Sequence, residues 1–236
     1  MRFELSQVLP WGRSFDEYVR MFDLKEEDLG MKILGCADGP ASFNDEMNRR
    51  GIRVVSCDPI YRFSRKQLST RIDQACEEII EQTRKNAGNF VWSSIGSIED
   101  LRDTRTAAMA QFMADYDEGK EQGRYVNAEL PVLPFDDGAF DIALCSHFLF
   151  LYSNRLSLEF HRESVRQLCR IAKDVRIFPL IDLDLRPSPY VQPMVQSLEK
   201  NGFTVSIERV PYEFQRGGNE MLRIMGKTQQ RRHHRC

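Results

Sequence analysis

Short apolar runs alternate with amphipathic stretches along most of this chain, and that alternation constrains the fold more than any other feature. Residues 31–36, 53–57, 140–145 and 175–180 are the clearest runs, each short and bounded by turn residues or charges. Such segments suit buried strands. Residues 41–50 suit a helix closed by Gly51. Residues 65–86 carry Leu68, Ile72, Ala75, Ile79 and Thr83 on one helical face, and Leu158, His161, Val165, Leu168 and Ala172 mark another helix. Residues 125–130 supply a further strand, and Pro189 to Asn201 a helix closed by Gly202. Strands separated by helices run parallel, because the crossover carries the chain back to the same end of the sheet. Only the turn Arg216-Gly217-Gly218-Asn219 separates the last two strands, 204–210 and 221–225, so these pair antiparallel. The prediction is an α/β fold: a mostly parallel seven-stranded sheet with the last strand antiparallel.

Two stretches interrupt the pattern. The first thirty residues read as helical, with a capping box at Ser14-Phe15-Asp16-Glu17 and apolar Phe15, Tyr18, Val19 and Phe22 behind it. Residues 90–122 hold Phe90-Val91-Trp92 and then a helix starting near Ser97, with Leu101, Ala108, Met109, Phe112, Met113 and Tyr116 apolar. They are predicted as helical additions to one domain over 1–226: an N-terminal cap at 1–30 and an insertion at 90–122. The basic tail 227–236 is expected to be disordered. A length of 236 residues fits a single α/β domain.

Composition excludes several classes. No run of about 18 apolar residues exists, and Met1-Arg2-Phe3-Glu4-Leu5 lacks the apolar core of a secretory signal, so no membrane association and a cytoplasmic location are expected. The net charge of −2 gives no global argument for nucleic acid. The six cysteines have no CxxC or zinc spacing; they are expected to be reduced core thiols, and no metal site is expected.

The chemistry-bearing features follow the first two strands. Leu34-Gly35-Cys36-Ala37-Asp38-Gly39-Pro40 is a small-residue turn that would bring backbone N–H groups and the next helix N-terminus close to a ligand. Asp58 ends the second strand, where a carboxylate can accept both hydroxyls of a ribose. This pair leaves open a plain tight turn, a dinucleotide site or a nucleoside site. The loop lacks the G-x-G-x-x-G spacing of dinucleotide folds. Further on come Glu129 and then Leu133-Pro134-Phe135-Asp136-Asp137-Gly138-Ala139-Phe140-Asp141, leading into the strand at 140–145.

That last stretch resembles the LPF-x-DG-x-FD segment of class I, Rossmann-like methyltransferases that depend on S-adenosylmethionine (SAM). The loop, Asp58, Glu129 and this stretch occur in the family's order. The resemblance covers about residues 31–180 and implies SAM as the cofactor. It places Gly35, Ala37 and Gly39 under the methionine part, Asp58 on the ribose, Pro59 and Ile60 against the adenine, Glu129 and the Leu130 backbone on the adenine edge, and Cys145 and Ser146 beside the methionine end. One position departs from the pattern. Where the family carries a leading acid, this chain has Gly35, and Asp38, three positions on, is a candidate for the substitute carboxylate.

Methyl transfer needs alignment of nucleophile and methyl group, exclusion of water and sometimes a base. After the fourth strand, His147 is a candidate base and Tyr152 a candidate hydrogen-bonding group, although His147 also suits a satisfied loop-edge histidine. His161, on the apolar face of its helix, reads as a core or helix-end residue. The cap and insertion are expected over the mouth of the site, with Arg13, Tyr18, Trp92, Arg105 and Tyr125 as candidates for its lining. The expected function is methyl transfer to a small-molecule acceptor. The alternatives are a SAM-binding module without transfer and an RNA methyltransferase using the basic tail.

Overall fold

The computed structural model describes residues 10–226. The expected disordered tail, 227–236, and the start of the expected helical cap, 1–9, lie outside the described residues. Strands β1 (Ile33–Cys36), β2 (Val54–Cys57), β3 (Tyr125–Val126), β4 (Phe140–Ser146), β5 (Ala172–Phe178), β6 (Thr204–Arg209) and β7 (Glu220–Met225) form one sheet in the order β3-β2-β1-β4-β5-β7-β6. β1 pairs parallel with β2 and β4, β2 with β3, and β4 with β5. β7 runs antiparallel to both β5 and β6. This is the Rossmann-like, mostly parallel sheet with an antiparallel last strand that the alternation and the family resemblance implied.

The helices are α1 (Phe15–Met21), α2 (Glu26–Leu29), α3 (Phe43–Arg49), α4 (Arg65–Lys85), α5 (Ile98–Glu121), α6 (Leu158–Ile171) and α7 (Val191–Lys200). Both expected capping signals form. Ser14 accepts the Glu17 N–H while Glu17 reaches back to the Ser14 N–H, and Ser97 accepts the Asp100 N–H. The predicted face of α4 is buried throughout, at Leu68, Ile72, Ala75, Ile79 and Thr83. Two apolar clusters sandwich the sheet. One joins α6 and α7 to β4, β5 and β7; the other packs α1 and α3 against the opposite side.

Several boundaries differ from expectation, and Ala172, expected on the helix begun at Leu158, opens β5 instead, its backbone being extended. The N-terminal helical region is broken: residues 10–13 are not helical, and α1 and α2 are separated by Asp23, whose φ is +45°. β3 stops at Val126 instead of continuing to Leu130, and Pro131 just beyond has no N–H to offer a ladder. β5 begins three residues before the predicted Val175 and includes the charged pair Lys173-Asp174. Asp174 is tolerated inside the sheet because Arg176 and Arg223 both reach its carboxylate at 2.8 Å. His161 is a core residue, with Nδ1 at 2.8 Å from the Ser157 carbonyl and Nε2 at 2.8 Å from that of Leu149.

The helix of the 90–122 stretch does not cover the mouth of a site. α5 packs alongside α4 and α3 and against β3. Its Phe112 and Tyr116 join Tyr61 and Tyr125 in an aromatic cluster with ring centroids 5.1 to 6.2 Å apart. Cys36, Cys57, Cys76 and Cys145 are buried free thiols and Cys169 is partly buried, as free cysteines.

Candidate active site

Ligands of open parallel sheets bind beyond the carboxyl ends of the strands, where neighbouring crossovers diverge. Here β1, β2 and β4 end side by side, with Cys36 paired to both Cys57 and Cys145. A cavity of about 280 Å³ opens above them. Its floor is Cys36, Ala37, Asp38, Gly39, Asp58 and Ser146.

The backbone takes an uncommon conformation at two of the strand exits. Ala37, after β1, has φ +56°, and His147, after β4, has φ +52°. Left-handed backbone costs a residue with a side chain about 1–2 kcal/mol. Hydrogen bonds hold both turns: Ala37 N–H donates to the Cys57 carbonyl at 2.9 Å, and His147 N–H to that of Phe178 at 2.7 Å. Such strain gathers at functional sites because the surrounding structure enforces it.

Asp38 and Asp58 are the two buried carboxylates of the floor. Asp58 accepts the Gly39 N–H on Oδ2 and the Ile60 N–H on Oδ1, both at 2.9 Å, and so pins the glycine turn to the end of β2. Each oxygen retains acceptor capacity. Burial, with neighbouring Glu129 adding to it, pushes the Asp58 carboxyl up to about 6. Asp38 accepts Tyr18 Oη at 2.7 Å and Ser56 Oγ at 2.6 Å. Burial, aided by the Asp58 charge, also brings it to about 6, against the lowering effect of those two hydroxyls.

Gly35 explains the position of Asp38. A Cβ at residue 35 would sit 1.8 Å from Asp38 Oδ2. The carboxylate of residue 38 therefore fills the space that a side chain at position 35 would need. Gly35 itself does not line the cavity, nor does Cys145, whose side chain lies in the core; their neighbours Cys36 and Ser146 do.

The remaining expected residues fall on the walls. Pro59, Ile60, Glu129 and Leu130 line one side, and His147 and Tyr152 the other. His147 Nδ1 lies 2.9 Å from Ser146 Oγ, and its ring meets Phe178 edge-on. Burial, reinforced by the charges of Arg13 and Arg105, holds its pKa well below the usual value, so the ring is neutral. Burial pushes the Tyr152 hydroxyl up to about 12, so it keeps its proton at neutral pH.

Of the expected lid residues, Arg13 and Tyr18 line the cavity and three others do not. Arg105 is fully buried and ion-paired with Glu17. Trp92 donates to the Ala87 carbonyl at 3.0 Å, and Tyr125 donates to Asp115 at 2.8 Å. The 90–122 stretch contributes Phe90 alone among the described lining residues, whereas Pro10 and Trp11 come from the segment before α1. Sequence reasoning missed Trp11, Tyr61, Phe214 and Gln215. Tyr61 supports the floor by donating to the Gly39 carbonyl at 2.7 Å. Phe214 and Gln215 precede the turn at 216–219 and reach the cavity from the far end of the chain. No local spacing could have indicated that.

The LPF stretch is placed away from the cavity floor, where it anchors the start of β4. Phe135 packs edge-on against Phe140 with centroids 5.2 Å apart. Arg170 donates to the carbonyls of Leu133 and Phe135, and Asp141 accepts Lys173 Nζ at 2.7 Å.

No protein-family model matches the chain. The chain is 34% identical over 230 residues to uncharacterized protein MJ0045 of Methanocaldococcus jannaschii, covering 95% of this chain and 99% of that protein. It belongs to the MJ0045 family. Among solved structures, similar folds include magnesium protoporphyrin IX methyltransferase from Synechocystis PCC 6803 with bound SAH (S-adenosylhomocysteine), at 12% identity and TM-score 0.49 over 90% of this chain and 81% of that one. Another is 1,6-didemethyltoxoflavin-N1-methyltransferase from Burkholderia thailandensis, at 11% identity and TM-score 0.46 over 84% and 72%. Likeness at this level leaves the chemistry of the MJ0045 family to its own residues.

Proposed function

We propose that this chain is a SAM-dependent methyltransferase acting on a small-molecule acceptor. The observation that carries this reading is the placement of two buried carboxylates, Asp38 and Asp58, on the floor of one cavity whose opposite wall holds His147 and Tyr152. Asp58, already oriented by two backbone N–H groups, has the remaining lone pairs for a ribose diol. Asp38 suits an ammonium group, and the Gly35 space it fills explains how the loop keeps an acid without one at position 35. Pro59, Ile60, Glu129 and the Leu130 backbone supply an apolar and polar wall for a purine.

Bound SAM would supply a methyl group already activated on a sulfonium sulfur. The chain's own task is then to hold the acceptor in line and keep water out. Neutral His147 can accept a hydrogen bond from an acceptor hydroxyl or amine, and Tyr152 can donate one. Burial makes both side chains poor carriers of charge, reinforced at His147 by the nearby Arg13 and Arg105.

A binding module without transfer is the second reading, favoured by the absence of an acid at position 35. RNA methylation rests on the tail 227–236, outside the described residues. Single-turnover assays with labelled SAM against small-molecule extracts separate the first two: label in a new product supports transfer, and SAH-type binding without any labelled product supports the module. Deleting 227–236 should leave small-molecule transfer intact and should lower RNA binding only if RNA is the acceptor.

A further inference from the structure

The cap side of the cavity holds a cation that no described residue neutralises. Arg13 lines the cavity, and among the described residues its guanidinium makes one hydrogen bond, from Nη1 to the Trp11 carbonyl at 3.2 Å. Its Nε is buried with no hydrogen-bond partner among the described residues. The nearest carboxylate by charge, Glu17, is already committed. Its Oε2 takes Arg105 and the Ser14 N–H, and its Oε1 takes Tyr212 Oη at 2.8 Å. Two guanidinium groups thus share one carboxylate in a buried region, and the adjacent His147 is neutral. An unpaired buried charge is expensive, and native sites keep one where a ligand completes it.

Arg13 is also held in place before any ligand arrives. A Cβ at Gly12 would lie 2.0 Å from the Pro40 carbonyl oxygen and 2.8 Å from Met109 Cγ, so the backbone there packs directly on the loop after β1. The Arg13 carbonyl accepts the Ser42 N–H at 3.0 Å. Around it the walls are aromatic and apolar, at Trp11, Phe90, Phe148, Leu151 and Phe214, and Gln215 Oε1 is a second buried lining atom with no partner among the described residues.

We propose that Arg13 is the receptor for a carboxylate on a ligand bound in this cavity. The guanidinium fork matches a carboxylate in shape and charge, and the apolar walls suit an aromatic body attached to it. A carboxylate can come from the acceptor or from the amino-acid end of the S-adenosyl donor. The second source rests on the function proposed above; the first does not.

Calorimetry on the full chain tests this with probes that differ in one group. The first arm compares benzoate with benzamide and 2-naphthoate with 2-naphthamide, with and without saturating SAH. The second compares SAH with 5′-methylthioadenosine, which lacks the amino-acid end. An acid preference of about tenfold or more beside bound SAH, lost in Arg13→Gln and partly kept in Arg13→Lys, supports the proposal and assigns the carboxylate to the acceptor. A similar loss of SAH affinity in Arg13→Gln, with 5′-methylthioadenosine unaffected, supports it and assigns the carboxylate to the donor. Absence of both effects overturns it. Failure of SAH to bind the wild type would count against the donor reading alone, because the acid–amide comparison without SAH still decides the role of Arg13. Arg13→Gln should unfold at or above the wild-type temperature, since it removes an uncompensated buried charge.

Discussion

At the scale of single residues, the site depends on a carboxylate displaced by three positions. Asp38 occupies the volume above Gly35, so the two residues exclude each other's larger forms. Gly35→Ala should lower stability by about 1–3 kcal/mol, the usual cost of overpacking. In an Asp38→Ala background the same change should cost much less, because the clashing carboxylate is gone. Urea denaturation of the four proteins in the cycle measures this, and additive effects would show that the two groups do not compete for one space. The sequence made Asp38 visible as a candidate acid but not its direction. That direction is set by hydroxyls distant in the chain, Tyr18 from α1 and Ser56 from β2.

At the scale of elements, the cap is fastened by one buried cluster. Glu17 of α1 meets Arg105 of α5 and Tyr212 of the segment between β6 and β7. Burial alone would raise the Glu17 carboxyl, but the Arg105 charge and hydrogen bond, with Arg13 and the Ser14 N–H, hold it down to about 2. Its stabilising contribution is therefore present above the ordinary carboxylate range and lost only as pH falls through about 2. Removing one partner, as in Glu17→Gln or Arg105→Met, should cost about 3–5 kcal/mol and loosen the cap. The double variant Glu17→Gln/Arg105→Met should recover part of that loss in the same denaturation assay. Arg105 was expected on the pocket wall because helical spacing cannot distinguish a side chain facing a cavity from one facing another helix. The helices and strands were otherwise legible where apolar spacing was strong, as in α4 and α6. The end of β3 was not, because residues 128–130, past its last residue Val126, look strand-like yet line the cavity.

At the scale of the whole molecule, the two floor carboxylates make stability depend on pH. Their folded values of about 6 lie above the ordinary 3.8, so the folded chain holds these protons more tightly than the unfolded one. Stability from this source is greatest below about 4 and declines as pH rises through about 6, by roughly 3 kcal/mol per group. Thermal unfolding between pH 4 and 7 should show that decline superposed on the remaining titrations. Asp38→Asn and Asp58→Asn should each flatten it, whereas unchanged profiles would mean that these carboxyls are not held neutral. A ligand that uses the ionised carboxylates works in the opposite direction. Its affinity should rise between pH 5 and 7 as the floor ionises.

The fold was legible because a parallel sheet needs its strand–helix alternation, and the site only where its residues lie near strand ends. Contributions from Trp11, Phe214 and Gln215 arise from packing between the two ends of the chain. The most direct measurement of the central claim is SAH binding by calorimetry at pH 7.5 to the wild type, Asp58→Ala and Asp58→Asn. The account predicts saturable one-site binding to the wild type, weakened about tenfold or more in both variants, each remaining folded by circular dichroism. No binding to the wild type, or equal affinity in folded Asp58 variants, would contradict it.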